Sequence, residues 1–189
     1  MRRAEVSARG ISVDGSAPTW GAFAQCRDPL AAAAEEVAAS RNPRLSRLDR
    51  PTLAALVATH FVLGPRDAQP VAVVLDAQDG SPVADRAYWE TARGRGGAGA
   101  SPSLFVATLP SAVAGEIALT FGLRCAFVVF AGAGSAEALI AAAAGIGAAA
   151  GGGPRLEVRL SGWRGAADGV AVVTSLEHRI GSTRRTPHD

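Results

Sequence analysis

Few side chains in this 189-residue chain could act as nucleophiles, and they are widely spaced. The two cysteines, Cys26 and Cys125, match no metal-ligand spacing and more commonly serve as small buried hydrophobes. Ser135 begins an Ala-rich stretch, where its hydroxyl could attack a substrate or cap the first turn of a helix. Because burial is the more frequent role for such cysteines and capping for such a serine, we expect none of these three residues to be catalytic.

Three histidines could supply general-base chemistry. His60 lies in an apolar run with helical spacing, His178 follows a strand-like segment, and His188 lies in the C-terminal tail. Such positions are typical of surface or helix-edge histidines. We therefore expect no catalytic histidine, no metal site and no cofactor.

Four arginines recur at every third position: Arg41, Arg44, Arg47 and Arg50. Guanidinium groups in such a row could contact an acidic protein or a phosphate. Alternatively, the segment is a solvated turn whose arginines pair with Asp49 and other nearby acids. The sequence leaves both interpretations open.

Alternating strand-like and helix-like segments must position these residues. Asp49 is a good N-cap with Pro51 in the first turn, and apolar residues then recur at helical spacing up to Phe61. Val71 to Leu75 is a continuous apolar run, which favours a strand covered on both faces. The whole pattern indicates an α/β class. We predict strands over 4–13, 71–75, 125–130, 156–160 and 170–176, and helices over 20–24, 29–39, 49–63, around 88–89, after 110 and after 135.

The segment 101–139 is the most informative. A Pro-led turn opens it, an apolar helix follows, Gly122 ends that helix, and 125–130 is strand-like. A small-residue turn over 131–134 then leads to the next helix. The helix after Pro110 is rich in small residues, namely Ala112, Ala114, Gly115 and Ala118.

This segment resembles the β-ketoacyl synthases. Their chains read roughly SP-x-F, then P-N-x-x-A-G-x-I and F-G-L-R-G-P, followed by a strand, a nucleophilic Cys and G-L-x-A-L. The matching residues here are Ser101, Pro102, Phe105, Pro110, Ala114, Gly115, Ile117, Phe121, Gly122, Leu123, Arg124, Ala138 and Leu139.

The resemblance extends outward over about residues 4–180. The arginine block before the apolar helix looks like R-R-x-S-R-x-x-R-x-A-L of half-length, chain-length-factor-like proteins from aryl polyene and polyketide pathways. Residues 168–177 look like the D-G-A-A-A-L-V-L-E strand that closes the first half of a synthase. The resemblance implies half of a thiolase-like α/β fold, with a mixed sheet and helices on both faces.

The resemblance also implies that this chain lacks the catalytic cysteine. The nucleophile position falls at Gly132 or Gly134, depending on a short gap. The two catalytic histidines of synthases belong to their second half, which the sequence does not include. We therefore expect a non-catalytic subunit that shapes the acyl tunnel, while a ketosynthase partner supplies Cys and His and receives the acyl carrier protein.

In this interpretation, the strand 125–130 and the small-residue helix lie near the subunit interface. The arginine row could contact the acyl carrier protein. The interface residues would be Ala112, Ala114, Gly115, Ala118, Cys125, Phe127 and Val129.

Composition restricts the alternatives. Hydrophobic residues make up 48% of the chain, which predicts a packed domain, and the net charge of +2 is too small to favour nucleic-acid binding. We expect one domain over 1–189, ordered over about 4–180 with a tail at 181–189, no membrane span, and a cytoplasmic location. Two other functions stay open: a diverged synthase remnant acting as a scaffold, and an acyltransferase using Ser135 or Cys125.

Overall fold

The computed structural model describes residues 2–38, 41, 45–63, 72–77, 82–94, 96–131, 145, 155–161 and 171–177. Strands and helices alternate through most of these residues, which confirms the α/β class. The helices are α1 (Pro29–Ala38), α2 (Arg50–Leu63), α3 (Pro82–Gly94), α4 (Pro102–Thr108) and α5 (Pro110–Phe121). The strands are β1 (Arg2–Ser7), β2 (Gly10–Val13), β3 (Ala72–Ala77), β4 (Ala126–Ala131), β5 (Arg155–Ser161) and β6 (Ala171–Glu177).

The six strands form one mixed sheet in the order β2-β1-β6-β5-β3-β4. β3 runs parallel to both β4 and β5, with Val73 opposite Phe127 on one side and Leu156 on the other. The remaining pairs, β5 with β6, β6 with β1 and β1 with β2, are antiparallel. β2 and β4 are therefore the two edges of the sheet as described.

α2 is the central helix of the core. Nearly all of its side chains are buried, because it packs on β1 and β6 on one side and on α1 and α5 on the other. Its start is set locally, since the Asp49 carboxylate accepts a hydrogen bond from the Thr52 backbone N–H at 3.0 Å. This confirms the N-cap predicted from the sequence.

Both faces of β3 are buried. Val73 and Leu75 face the core that α2 and α5 cover, while Val74 and Asp76 on the opposite face are also buried. A polar residue such as Asp76 stays buried only when it has partners, and it does interact within the structure. Burial on both faces matches the prediction for a continuous apolar strand.

The first predicted strand, 4–13, is corrected. It is a hairpin, because the chain reverses between Ser7 and Gly10 and β1 pairs antiparallel with β2. Gly10 has a φ of 131°, and a Cβ at this position would collide with the Thr19 backbone. Apolar residues alternate on both sides of the turn, but their parity changes between Ala8 and Ile11, which marks the reversal of the chain.

Candidate subunit interface

β4 is one of the two edge strands of the sheet that the structure describes. The strand begins at Ala126, one residue later than predicted, and Cys125 lies in the bend before it. Phe127 and Val129 are half-buried and pack against the core. Among the strands that the structure describes, β4 pairs only with β3, so its outer backbone N–H and C=O groups could pair with another chain.

The opposite edge of the sheet is protected. Ile11 of β2 exchanges two backbone hydrogen bonds with Thr19, at 2.9 and 3.1 Å. The absence of a side chain at Gly10 lets the segment around Thr19 lie this close. Natural sheets use such coverings to prevent edge-to-edge association. The two edges of this sheet therefore differ in their capacity to recruit a partner.

α5 packs against β3 and against the edge strand β4. The expectation that Ala114 contacts a partner is corrected: it is 3% exposed and packs in the core with Val113 and Ile117. Gly115 is exposed with open space around its Cα, and Leu119, four residues on, is 64% exposed.

Ala112 and Ala118, the other two small residues of the predicted interface, are half-buried. The outward face of α5 is thus marked by Gly115 and Leu119. The spacing of small residues did not reveal Leu119.

Capping residues set the end of α5 and the start of α4. Gly122 ends α5 in the left-handed conformation with φ 63°, and the Leu123 N–H then donates to the Ala118 carbonyl at 3.0 Å. This confirms the predicted stop. The Pro-led turn is corrected: Ser101 caps α4, its hydroxyl accepting from the Leu104 N–H at 3.3 Å, with Pro102 at the first helical position.

Of the nucleophile candidates, the structure describes Cys26 and Cys125. Gly132, Gly134 and Ser135 lie outside the described residues. Burial raises the pKa of the Cys125 thiol, which disfavours the thiolate that nucleophilic attack requires. Cys26 is exposed and unpaired.

Of the three histidines, the structure describes His60. His178 and His188 lie outside the described residues. His60 is half-buried at the end of α2, with its ring edge-to-face on Phe61 at 5.4 Å. Burial first, and the positive charge of Arg41 second, lower the pKa of His60, although Glu36 opposes this. No group of three metal-ligating side chains occurs within the described ranges.

The arginine row is split between different roles. Arg44 lies outside the described residues. Arg41 stacks over the Phe121 ring at 5.9 Å, and Arg50 pairs with Asp28 at 2.7 Å. Arg47 is exposed. Arg41 and Arg47 therefore remain available for an acidic partner, whereas Arg50 already has one in Asp28.

α3 and α4 expose apolar side chains that sequence reasoning did not select. Trp89 is 57% exposed, and Phe105, Val106 and Leu109 are also exposed. Tyr88 lies between two rings, with its centroid 6.2 Å from that of Trp89 and 5.5 Å from that of Phe105. The feature of the sequence that could have identified these residues is the group of large apolar side chains in α3 and α4, on either side of a Gly-rich stretch.

Within the described residues, no single helix has the length and hydropathy needed to cross a membrane. The bent pair Pro102–Thr108 and Pro110–Phe121 satisfies those two criteria only when joined, across a 95° bend.

Comparison with known proteins shows the fold. The chain is similar to one chain of a solved complex described as a ketosynthase (ApeO) with its chain length factor (ApeC) from Xenorhabdus doucetiae. The TM-score is 0.60 at 15% identity, and the match covers 96% of this chain and 79% of that one. The fold is therefore half of a thiolase-like α/β fold, as the sequence resemblance implied. No protein-family model and no curated protein matches the sequence.

Proposed function

We propose that this chain is a non-catalytic, chain-length-factor-like subunit that pairs with a catalytic β-ketoacyl synthase in the cytoplasm and helps shape its acyl tunnel. The likeness over 96% of the chain to one chain of a ketosynthase and chain length factor complex carries the proposal. The matched chain is of similar length, which favours a half-length subunit as the counterpart. We treat residues 1–189 as one domain.

The chemistry of the chain supports a division of labour. Glycine stands at both alternatives for the nucleophile position, Gly132 and Gly134, and glycine has no side chain to attack a thioester. Cys125 is a poor substitute because burial raises its pKa, and it lies at the opposite end of β4 from the turn. The partner would therefore supply the cysteine and the histidines, and the acyl carrier protein would reach the complex through that partner.

The partner would dock along the β4 edge and the outer side of α5. Main-chain pairing at an open edge gives affinity, and side chains on either side give specificity. The half-buried side chains of Cys125, Phe127 and Val129, which also pack against the core, would lie next to this interface, and Ala112, Gly115 and Ala118 would allow close approach of a helix from the partner. Arg41 and Arg47 would face the acidic surface of the carrier protein.

A second function is a scaffold derived from a synthase, which would bind a partner without influencing its products. The open β4 edge supports binding equally well in this case. The two functions differ in the products of the assembled complex, so a product analysis separates them.

The test is co-expression of the tagged chain with the full-length ketosynthase encoded beside its gene. Size-exclusion chromatography with light scattering should show a stable heterodimer. Supplied with malonyl-loaded carrier protein, the heterodimer should make a narrow range of chain lengths, and the chain alone should neither condense nor decarboxylate malonyl thioester. Ser135→Ala in this chain should leave the product yield of the heterodimer unchanged, and Cys125→Ala, at a residue near the interface, should leave the yield per assembled heterodimer unchanged.

Three outcomes contradict the proposal. The first is a monomer that ignores every ketosynthase in its gene neighbourhood. The second is a heterodimer whose products equal those of the ketosynthase alone, which would favour the scaffold. The third is condensation by the isolated chain that Cys125→Ala or Ser135→Ala abolishes, which would favour the acyltransferase.

A further inference from the structure

α3 and α4 form a helical arm that has little core of its own. The two helices pack chiefly on each other, and α4 in turn rests on α5. No side chain of α4 is buried, and Ala84 is the single buried residue among the described side chains of α3. The arm is joined to the sheet through α5, the helix beside the open β4 edge.

The arm exposes apolar and aromatic side chains next to charged ones. The rings of Trp89, Tyr88 and Phe105 form a row, and Arg93 stacks over the Trp89 ring at 5.8 Å. Val106 is 53% exposed and Leu109, at the junction with α5, is 40% exposed. We call the four exposed residues Trp89, Phe105, Val106 and Leu109 the arm patch.

Helices of this size need support from other parts of a protein. Isolated helices shorter than about 12–15 residues are marginal in water, and α3 and α4 have 13 and 7 residues. The mutual contact of the two helices buries little apolar side chain, so the arm gains most of its stabilisation if a further surface covers the patch. Large exposed apolar patches with polar surroundings commonly mark protein interfaces.

Charge favours a protein as the occupant. The two helices of the arm carry Asp85 and Glu90 against Arg86 and Arg93, so they have no net charge. A surface that binds anionic lipid or nucleic acid would carry an excess of Lys or Arg. Trp, Tyr and Arg are also the residue types that dominate binding energy in protein interfaces.

We infer that the arm closes over the ketosynthase subunit, with the arm patch as its contact surface, and so extends the interface beyond β4 and α5. This inference rests on the proposed function. The match to the ketosynthase and chain length factor complex leaves only 4% of this chain uncovered, which is too little to omit both helices of the arm. The matched chain belongs to a two-protein complex, which supports the ketosynthase subunit as the occupant of the arm patch.

The experiment uses the co-expressed complex with that ketosynthase and three variants of this chain. Trp89→Ala and Val106→Asn remove apolar contact from exposed positions, so both should keep the wild-type circular dichroism and melting temperature. Each should weaken the heterodimer more than about tenfold in Kd, because truncating a central interface residue typically has this effect. Arg9→Ala, an exposed truncation in the β1–β2 turn near the protected edge, is the control and should leave Kd unchanged.

Hydrogen exchange of the wild-type complex provides the second readout. We expect backbone amides of 83–94 and 103–108 to exchange more slowly in the heterodimer than in the free chain. If the heterodimer forms with wild-type Kd in both variants and with unprotected arm amides, the arm inference is wrong while the proposed function stands.

Other occupants give distinct results. Protection of the arm in a homodimer of this chain, or Trp89-dependent binding to phosphatidylglycerol vesicles, would overturn the inference in favour of a second copy or a membrane. Failure of the wild-type chain to bind the ketosynthase at all would overturn the proposed function and this inference together.

Discussion

Two neighbouring residues of α5 differ in burial, one lying in the core and the other on the surface. Ala114 is packed among Val113 and Ile117, whereas Gly115 has open space around it. We predict that Ala114→Asp destabilises the isolated chain severely and that Gly115→Asp leaves its stability unchanged. The pair is matched, because the same carboxylate is introduced one residue apart on the same helix.

The magnitude for Ala114→Asp follows from burial. A carboxyl group without a charged partner at a buried position raises its pKa by about 3 units, and each unit corresponds to about 1.4 kcal/mol at neutral pH. Overpacking adds about 1–3 kcal/mol. The total of about 5–7 kcal/mol is comparable with the whole stability of a typical domain, about 5–15 kcal/mol. Ala114→Asn, which lacks the charge, should lose less.

For Gly115→Asp the expected change in the free energy of unfolding is close to zero or slightly stabilising. Aspartate is a better helix former than glycine by a few tenths of a kcal/mol, and exposed substitutions usually change stability by less than about 0.5 kcal/mol. In the proposed heterodimer, however, the new carboxylate would meet the partner along α5. We therefore expect Gly115→Asp to fold normally and to bind the ketosynthase poorly.

Urea unfolding followed by tryptophan fluorescence tests the stability prediction. With an m-value of about 2 kcal/mol/M, a loss of 5 kcal/mol lowers the midpoint by about 2.5 M. Because protonation of the buried carboxyl removes the charge, part of the Ala114→Asp loss should be recovered at pH 4. An Ala114→Asp chain with the wild-type midpoint would show that this residue faces outward and that the assigned faces of α5 are wrong.

Three further predictions concern stability. The pKa of His60 is lowered in the fold, so its contribution to stability is fully present above about pH 6.5 and is lost as the pH falls through the folded pKa. His60→Gln should flatten that part of a plot of melting temperature against pH. Burial alone would raise the pKa of Asp28, but Arg50 and the α1 backbone lower it overall. In chemical denaturation, Asp28→Ala should lower the free energy of unfolding by about 1 kcal/mol, mostly because the cap of α1 is lost. Arg50→Ala should lower it less, because the ion pair is exposed. Gly122→Ala should lose about 1 kcal/mol by the same measurement, because alanine is strained at φ 63°.

Features fixed by local chemistry could be predicted from the sequence. Asp49 with Pro51 gave the start of α2, and Gly122 gave the end of α5, because caps depend on neighbouring residues alone. The same reasoning missed α4. Ser101-Pro102 was interpreted as a turn, although a Ser cap followed by Pro at the first helical position is equally typical of a helix start.

Features fixed by tertiary contact could not be predicted in this way. Small residues at Ala114 and Gly115 are equally compatible with a core or an interface, and the rotation of α5 over β3 and β4 decides between them. The arm patch has the same origin, since nothing in the sequence around Phe105 shows that, among the described elements, α4 packs chiefly on α3 and α5. Exposure is a property of the assembled elements, so it followed only from the structure.

The two edges of the sheet differ in how they are covered, and this difference indicates where a partner would dock. An unprotected edge strand invites uncontrolled pairing, and this chain protects β2 with Thr19 and Gly10. β4 has no comparable covering among the described strands, and α5, which packs on β4, exposes the apolar side chain of Leu119. Since the described residues cover the β2 edge and not the β4 edge, β4 is better explained as a specific docking strand than as a general weakness of the fold.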